Sequence, residues 1–223
     1  MDTGRAVPGP AREASQFDLM RERRFAPFFW TQFLGAANDN VFKNALVIFV
    51  AFQAAGMTSM DPNTLVNLAG AVFIAPFMLL SAMGGQLADK FEKSRLIRAI
   101  KLFEIAIMVV GLAGFWMRDL ATLFAALALM GVHSTLFGPV KYAILPQHLK
   151  PEELVGGNGL VEMGTFVAIL AGTIAGGLVV GTGPNGPLWA GTLAIAIAVA
   201  GWLASRAIPE TPAVDPMLAF AWN

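Results

Sequence analysis

The chain contains no cysteine, so disulfide frameworks and thiol chemistry are excluded. Charge is scarce as well: only 13% of its 223 residues are Asp, Glu, Lys or Arg, against 56% hydrophobic. A soluble domain is nearer 25% charged, so this composition points to an integral membrane protein. The net charge of +0 gives no basic surface for a nucleic-acid partner, and none is expected. The two histidines, His133 and His148, have no metal-ligand companions at useful spacing, so metal catalysis lacks a ligand set and no cofactor is expected. Residues 1–24 lack the apolar core and small-residue cleavage site of a signal peptide. They are polar and rich in Gly and Pro, and read as a disordered cytoplasmic tail.

What is present is a set of six apolar stretches, each long enough to cross a bilayer. They run Phe28 to Ala55, Thr64 to Gln86, Leu96 to Met117, Leu120 to Ile144, Leu154 to Val180 and Leu188 to Ala207. The expected fold is therefore all-α and integral to the membrane, with a six-helix domain over residues 25–207 and a short Pro-rich segment over 208–223. Cations mark the cytoplasmic side. Arg21, Arg23 and Arg24 precede the first helix; Lys90, Lys93, Arg95 and Arg98 surround the second connection; Lys150 lies in the fourth, and Arg206 ends the sixth helix. The intervening loops hold Arg118 alone, so both termini are expected in the cytoplasm.

The first stretch carries Asn38, Asp39, Asn40, Lys43 and Asn44 in its middle. Asp39 falls about 15 Å in from Phe28, near the midplane of a hydrocarbon core roughly 30 Å thick. A charge at that depth costs ~2.5–3.5 kcal/mol on insertion scales and usually marks function. At 100° per residue, Gln32, Ala36, Asp39 and Lys43 share one face, with Asn40 on its flank, while Trp30, Leu34, Val41, Ile48 and Phe52 gather opposite, toward lipid. Asp39 and Lys43, at i,i+4, are placed to form an ion pair. It serves either as a structural pair between helices or as a pair in a transport route.

Other polar groups interrupt the later helices. Lys101 and Glu104 are neighbours at i,i+3, with Glu104 roughly 12 Å inside the span. Lys101 is shallower and could snorkel to the headgroups, as could Lys141. His133 reads as a satisfied polar residue between helices, and Pro139 frees backbone groups that suit a cavity wall or another helix. Glu162 fits either a substrate route or a cytoplasmic-side partner. Gly164, Gly172, Gly176 and Gly177 form a small-residue face for close helix packing. Across the spans Asp39, Glu104 and Glu162 balance Lys43, Lys101 and Lys141.

Between the second and third helices stands Gly85-Gln-Leu-Ala-Asp89-Lys90-Phe-Glu92-Lys93-Ser-Arg95. In physical terms Gly85 permits close backbone approach, and Asp89 can accept from cationic or backbone donors at a helix N-terminus. The run resembles the loop signature of the major facilitator superfamily, with Gly85, Asp89, Lys90, Lys93 and Arg95 matching; Glu92 stands where that family usually has Gly, which puts the tight turn in question. The runs Gln32 to Ala45, Phe137 to Gln147 and Leu154 to Thr165 further resemble bacterial lysophospholipid transporters. That resemblance implies a multi-pass protein of the bacterial inner membrane that moves lysophospholipids such as lysophosphatidylethanolamine for re-acylation. It also implies a possible acyltransferase or acyl-carrier-protein ligase partner. Asn38, Asp39, Asn40, Lys43, Glu104, Lys141 and Glu162 are the expected substrate-route residues.

A major facilitator has two six-helix halves with substrate between them. Only an amino-terminal half is present in this sequence, which is expected to be truncated or to pair with a missing second half or a second copy. Two alternatives stand beside lysolipid transport: efflux of amphipathic drugs by the same fold, and the membrane domain of a lysophospholipid acyltransferase system. Catalysis in this chain is not expected, because the fifth residue after His133 is Gly138 and after His148 is Glu153, so neither forms a His-x4-Asp pair.

Overall fold

The structure, a computed structural model, describes residues 15–53 and 56–221. Six long helices follow one another: α1 (Ala26–Gln53), α2 (Pro62–Lys90), α3 (Lys93–Met117), α4 (Leu120–His148), α5 (Leu154–Val180) and α6 (Gly186–Ser205). By length and composition, α2, α4, α5 with the turn before it, and α6 are apolar enough to cross a membrane. The other two, α1 and α3, carry most of the buried amide and ionisable groups. Local chemistry sets several ends. Asp61 accepts from the backbone N–H groups of Asn63 and Thr64 and precedes Pro62, a proline suited to a first helical turn. Arg118 takes a left-handed conformation to close α3, and Asp119 then caps α4 through Thr122.

Small residues decide which helices touch. On α5, Gly164 faces the Phe29 ring, while Gly172 and Gly176 lie against the backbone carbonyls of Ala37 and Val41 on α1. This is the small-residue face expected of that helix, and it lets the two backbones approach. The α2–α4 contact uses a different device twice over. A Cβ on Gly84 would sit 2.8 Å from the Thr135 carbonyl and 3.2 Å from Pro139. Thr135 is the carbonyl that Pro139, four residues later, leaves without a helical N–H donor. Further along, Gly131 of α4 receives Pro76 and the Phe73 carbonyl of α2. Each helix therefore offers a glycine to the other's proline.

The apolar core falls into two clusters. One holds Phe42, Leu46, Phe49, Met108, Phe115, Leu127 and Met130 near the α1 C-terminus. The other holds Phe25, Phe28, Ile97, Val140, Ile144, Leu149 and Leu160 at the opposite end. Between them lies a layer of buried polar side chains: Asn38, Lys101, Glu104 and His133.

Two sequence expectations are revised here. Of the tail reading, residues 1–14 lie outside the described residues, but Gln16–Arg21 form a 3-10 helix capped by Ser15, with Leu19 buried. Arg24 then ties the chain down, donating two hydrogen bonds to the Glu153 carboxylate (2.7 and 2.8 Å) and one to the His148 carbonyl. On α1, Trp30 and Phe52 are outward, but Val41 is fully buried because the glycine face of α5 occupies the side expected to meet lipid.

Candidate functional site

The polar layer begins with a closed cage. The Lys101 ammonium meets Glu104 Oε2 at 2.5 Å, and Asn38 Nδ2 donates to Glu104 Oε1 at 2.7 Å. Both ionic side chains are buried, Lys101 at 0% and Glu104 at 1% exposure. Lys101 thus turns inward rather than snorkelling, because Gly35 on α1 leaves room for its ammonium; a Cβ there would collide with it. His133 Nε2 stands 3.4 Å from Glu104 Oε2. Neither His133 ring nitrogen has a well-aligned hydrogen bond among the described residues, so this longer contact to Glu104 is its polar partner between helices.

A second charged pair joins α4 to α5. Lys141 Nζ lies 3.1 Å from Glu162 Oε1 and donates to Thr165 Oγ1 at 2.9 Å. The Tyr142 hydroxyl donates to the same Glu162 oxygen, and Thr165 donates onward to Gln32 Oε1 on α1. This pair is open on one side, with Glu162 42% exposed and Lys141 11%. Lys141 does not snorkel away from the protein; Glu162 and Thr165 hold it against α5.

Between these two pairs lies a cavity of about 300 Å³, lined by residues of α1, α2, α4 and α5, with Lys101 at its edge. Its polar lining also holds Gln32, Asp39, Asn40, Lys43, His133, Ser134, Lys141 and Thr165, and its apolar lining includes Phe73, Phe77, Phe137 and Ile169. The face of α1 drawn from the helical repeat, Gln32, Ala36, Asp39 and Lys43, is the face that lines it. Of the other expected route residues, Asn38 and Glu104 lie behind this wall in the closed cage, and Glu162 reaches it only through Lys141. Ser134, Thr165 and the aromatic residues were not among the expected set. Their signal is spatial, since each is unremarkable in its own helix.

The expected Asp39–Lys43 pair does not form. Ser134 Oγ donates to Asp39 Oδ2 at 2.7 Å, whereas the Lys43 ammonium lies over the Phe73 ring, 4.4 Å from its centre. Each side chain instead meets a group on a neighbouring helix. Asp39 Oδ1 is buried without a hydrogen bond among the described residues. Asn40 bonds the Ala36 carbonyl within its own helix, and Asn44 bonds the Thr173 carbonyl of α5. The cavity is therefore bordered by the Lys43 and Lys141 ammonium groups and the Asp39 carboxylate, a set with both signs of charge, as a dipolar headgroup needs. Among the described residues no group of three His, Asp or Glu comes together as metal ligands would.

The loop motif is held from outside. Residues after α6 fold back across it: Thr211 N donates to Glu92 Oε1 at 2.6 Å, and its carbonyl accepts from Lys93 N at 2.9 Å. The Asp89 carbonyl accepts from Val214 N and Asp215 N, Lys90 Nζ donates to the Leu218 carbonyl, and Gln86 exchanges two bonds with Ala221. Lys93 is fully buried and reaches the Pro212 carbonyl at 3.3 Å, while Arg95 is mostly exposed with only long contacts to Glu92 and Glu210.

Three readings of this loop change. The glycine in close contact is Gly84, since nothing lies within 4 Å of a Cβ on Gly85. Asp89 serves through its backbone carbonyl, and the carboxylate at the α3 N-terminus is Glu92, which accepts from Ser94 N and Arg95 N. Phe91 and Glu92 both have negative φ, so the turn needs no glycine at position 92. Burial pushes the Glu92 carboxyl up, but the N–H groups of Thr211, Ser94 and Arg95 outweigh it and hold it below the usual carboxylate range.

The family model described as the Major Facilitator Superfamily matches residues 26–220. The chain is similar to the Lysophospholipid transporter LplT of Serratia proteamaculans (strain 568), with 31% identity over 192 residues, 86% of this chain and 44% of the relative. It is similar to the protein of the same name from Salmonella heidelberg (strain SL476), with 32% identity over 186 residues, 83% of this chain and 42% of the relative. The chain spans less than half the length of these curated relatives. A crystal structure of the peptide transporter POT in complex with sulfate superposes with a TM-score of 0.68, over 95% of this chain and 43% of that one. At 23% identity this is a likeness of fold. With its apolar helices and the family match over nearly all the described residues, the chain is a multi-pass membrane protein, and it belongs to the Major Facilitator Superfamily.

Proposed function

We propose that this chain is a six-helix half of a transporter that moves lysophospholipids, lysophosphatidylethanolamine among them, across the bacterial inner membrane. Both termini face the cytoplasm, and a second six-helix half completes the path. The observation that carries this reading is the lining of the cavity: Lys43 and Lys141 beside Asp39, with Phe73, Phe77, Phe137 and Ile169 around them. A zwitterionic phosphoethanolamine headgroup needs cations for its phosphate and a carboxylate for its ammonium, and an apolar surround strengthens each contact. The names of the similar proteins point the same way. A re-acylating acyltransferase or acyl-carrier-protein ligase is the partner this activity would serve.

Asp39 is the carboxylate in the cavity lining, held by Ser134 through one oxygen, so in this reading it is the acceptor for the ammonium. Asp39→Asn in the full-length protein keeps the Ser134 contact and removes the charge. Uptake of labelled lysophosphatidylethanolamine into vesicles is expected to be lost while the protein still inserts and expresses. Undiminished uptake would remove Asp39 from the mechanism, and drug efflux without lysolipid uptake would overturn the substrate class.

A further inference from the structure

Next to the polar cavity, on the side toward the α1 C-terminus and the α2 N-terminus, lies a second, smaller cavity of about 170 Å³. Its lining is Lys43, Leu46, Val47, Val66, Ala69, Gly70, Phe73, Ile74 and Leu127. Apart from Lys43, every side chain there is apolar. Two residues, Lys43 and Phe73, line both cavities. A lysine combines an apolar stem with a charged head, so it can border hydrocarbon on one side and a polar group on the other. Its ammonium on the Phe73 face fixes that border in place. The floor of the smaller cavity, Leu46, Ala69 and Leu127, is buried, while Gly70 and Ile74 stand at its open rim.

From this continuity we infer that the groove between α1 and α2 is the acyl-chain subsite of the same ligand whose headgroup occupies the polar cavity, with Lys43 at the junction beneath the phosphate. The inference rests on the reading of the preceding subsection. It adds a place for an acyl chain: among the described residues a narrow apolar groove meets the headgroup site. Its volume is well under that of a typical whole-ligand pocket of about 300–1,000 Å³, as suits a subsite holding part of one chain. Gly70 is the specificity-determining position. Nothing lies within 4 Å of a Cβ placed there, so the absent side chain leaves the groove open without serving any protein contact.

That open space supplies the test. A lysophosphatidylethanolamine carrying a photoactivatable group within its acyl chain is incorporated into vesicles with the full-length protein. The expected label falls on the α2 segment from Val66 to Ile74 and is competed by excess unlabelled lysolipid but not by diacyl lipid. Gly70→Phe fills the groove and removes most of that label, whereas Gly70→Ala retains it. Label on α2 that lysolipid does not compete, or that Gly70→Phe leaves unchanged, means bulk lipid occupies the groove and overturns the subsite. Competed label confined to the walls of the polar cavity overturns the subsite while leaving lysolipid binding intact. An absence of competed label anywhere on the protein sinks the transport reading, and the subsite with it.

Discussion

Two charged pairs, some helix turns apart, use the same chemistry in opposite surroundings. Lys101 and Glu104, three residues apart on one helix, are both buried, and the carboxylate is further held by Asn38. Lys141 and Glu162 come from different helices, and the carboxylate is almost half uncovered. A sealed pair is costly to break because the surviving partner stays charged in a medium that cannot solvate it. An open pair is weak in stability terms and free to exchange partners. The buried pair ties α1 to α3 through Asn38, while the open pair, in the proposed transport reading, holds Lys141 beside the cavity. Intramembrane charge alone would have given both the same role.

The largest expected effect tests the sealed side. Glu104→Gln leaves the Lys101 ammonium buried without its counter-charge and is expected to destabilise the protein by about 3–5 kcal/mol. Replacing both partners together, Lys101→Met with Glu104→Leu, should recover most of that loss, since no charge is then stranded. Thermal unfolding in detergent reads both. A double variant as unstable as the single one would mean that the pair matters for something beyond mutual neutralisation.

Glu162→Gln probes the open side. Its stability cost should be clearly smaller than that of Glu104→Gln, because the carboxylate is only partly buried and Lys141 keeps Thr165. Lysolipid uptake should nonetheless fall, as Lys141 loses the partner that positions it at the cavity. If this variant melted as early as Glu104→Gln, the contrast between the two regions would collapse.

The smallest effect concerns a third carboxylate, Glu92, outside both pairs. Its pKa in the folded chain lies below the ordinary value of 4.5. A depressed carboxylate contributes stability that is fully present above the unfolded pKa and is lost as pH falls through the folded one. The segment after α6 should therefore stay docked at neutral pH and loosen only below about pH 4.5. Amide exchange at Thr211, corrected for the intrinsic rate at each pH, is the readout. Glu92→Gln should raise that exchange at neutral pH; unchanged protection would show that the remaining strap contacts suffice.

Much of the frame is legible in the sequence. Helix positions followed from apolar length, since a run that must satisfy its own backbone in hydrocarbon has few options but a helix. The glycine face of α5 and the polar face of α1 followed from spacing, because the helical repeat determines which residues share a side. What spacing does not determine is the neighbour on that side. Asp39 and Lys43 were well spaced to pair, yet Ser134, 95 residues away, engages the carboxylate and Phe73 engages the ammonium. Val41 was well placed to face lipid until α5 covered it. Glu92 looked like an intruder in a glycine position because its partners, the N–H groups ahead of it and Thr211 far downstream, are backbone groups with no residue signature.

By itself, then, the sequence determined the helices, the faces they present and the number of charges to be accommodated between them. Those depend on local periodicity and on the cost of burying charge. Only the tertiary structure decided which charges are buried and which stay open, and that Lys43 borders a polar cavity on one side and an apolar groove on the other. Those outcomes depend on which small residues let two helices approach. A glycine's effect is felt by the atoms opposite it, not by its neighbours in the chain.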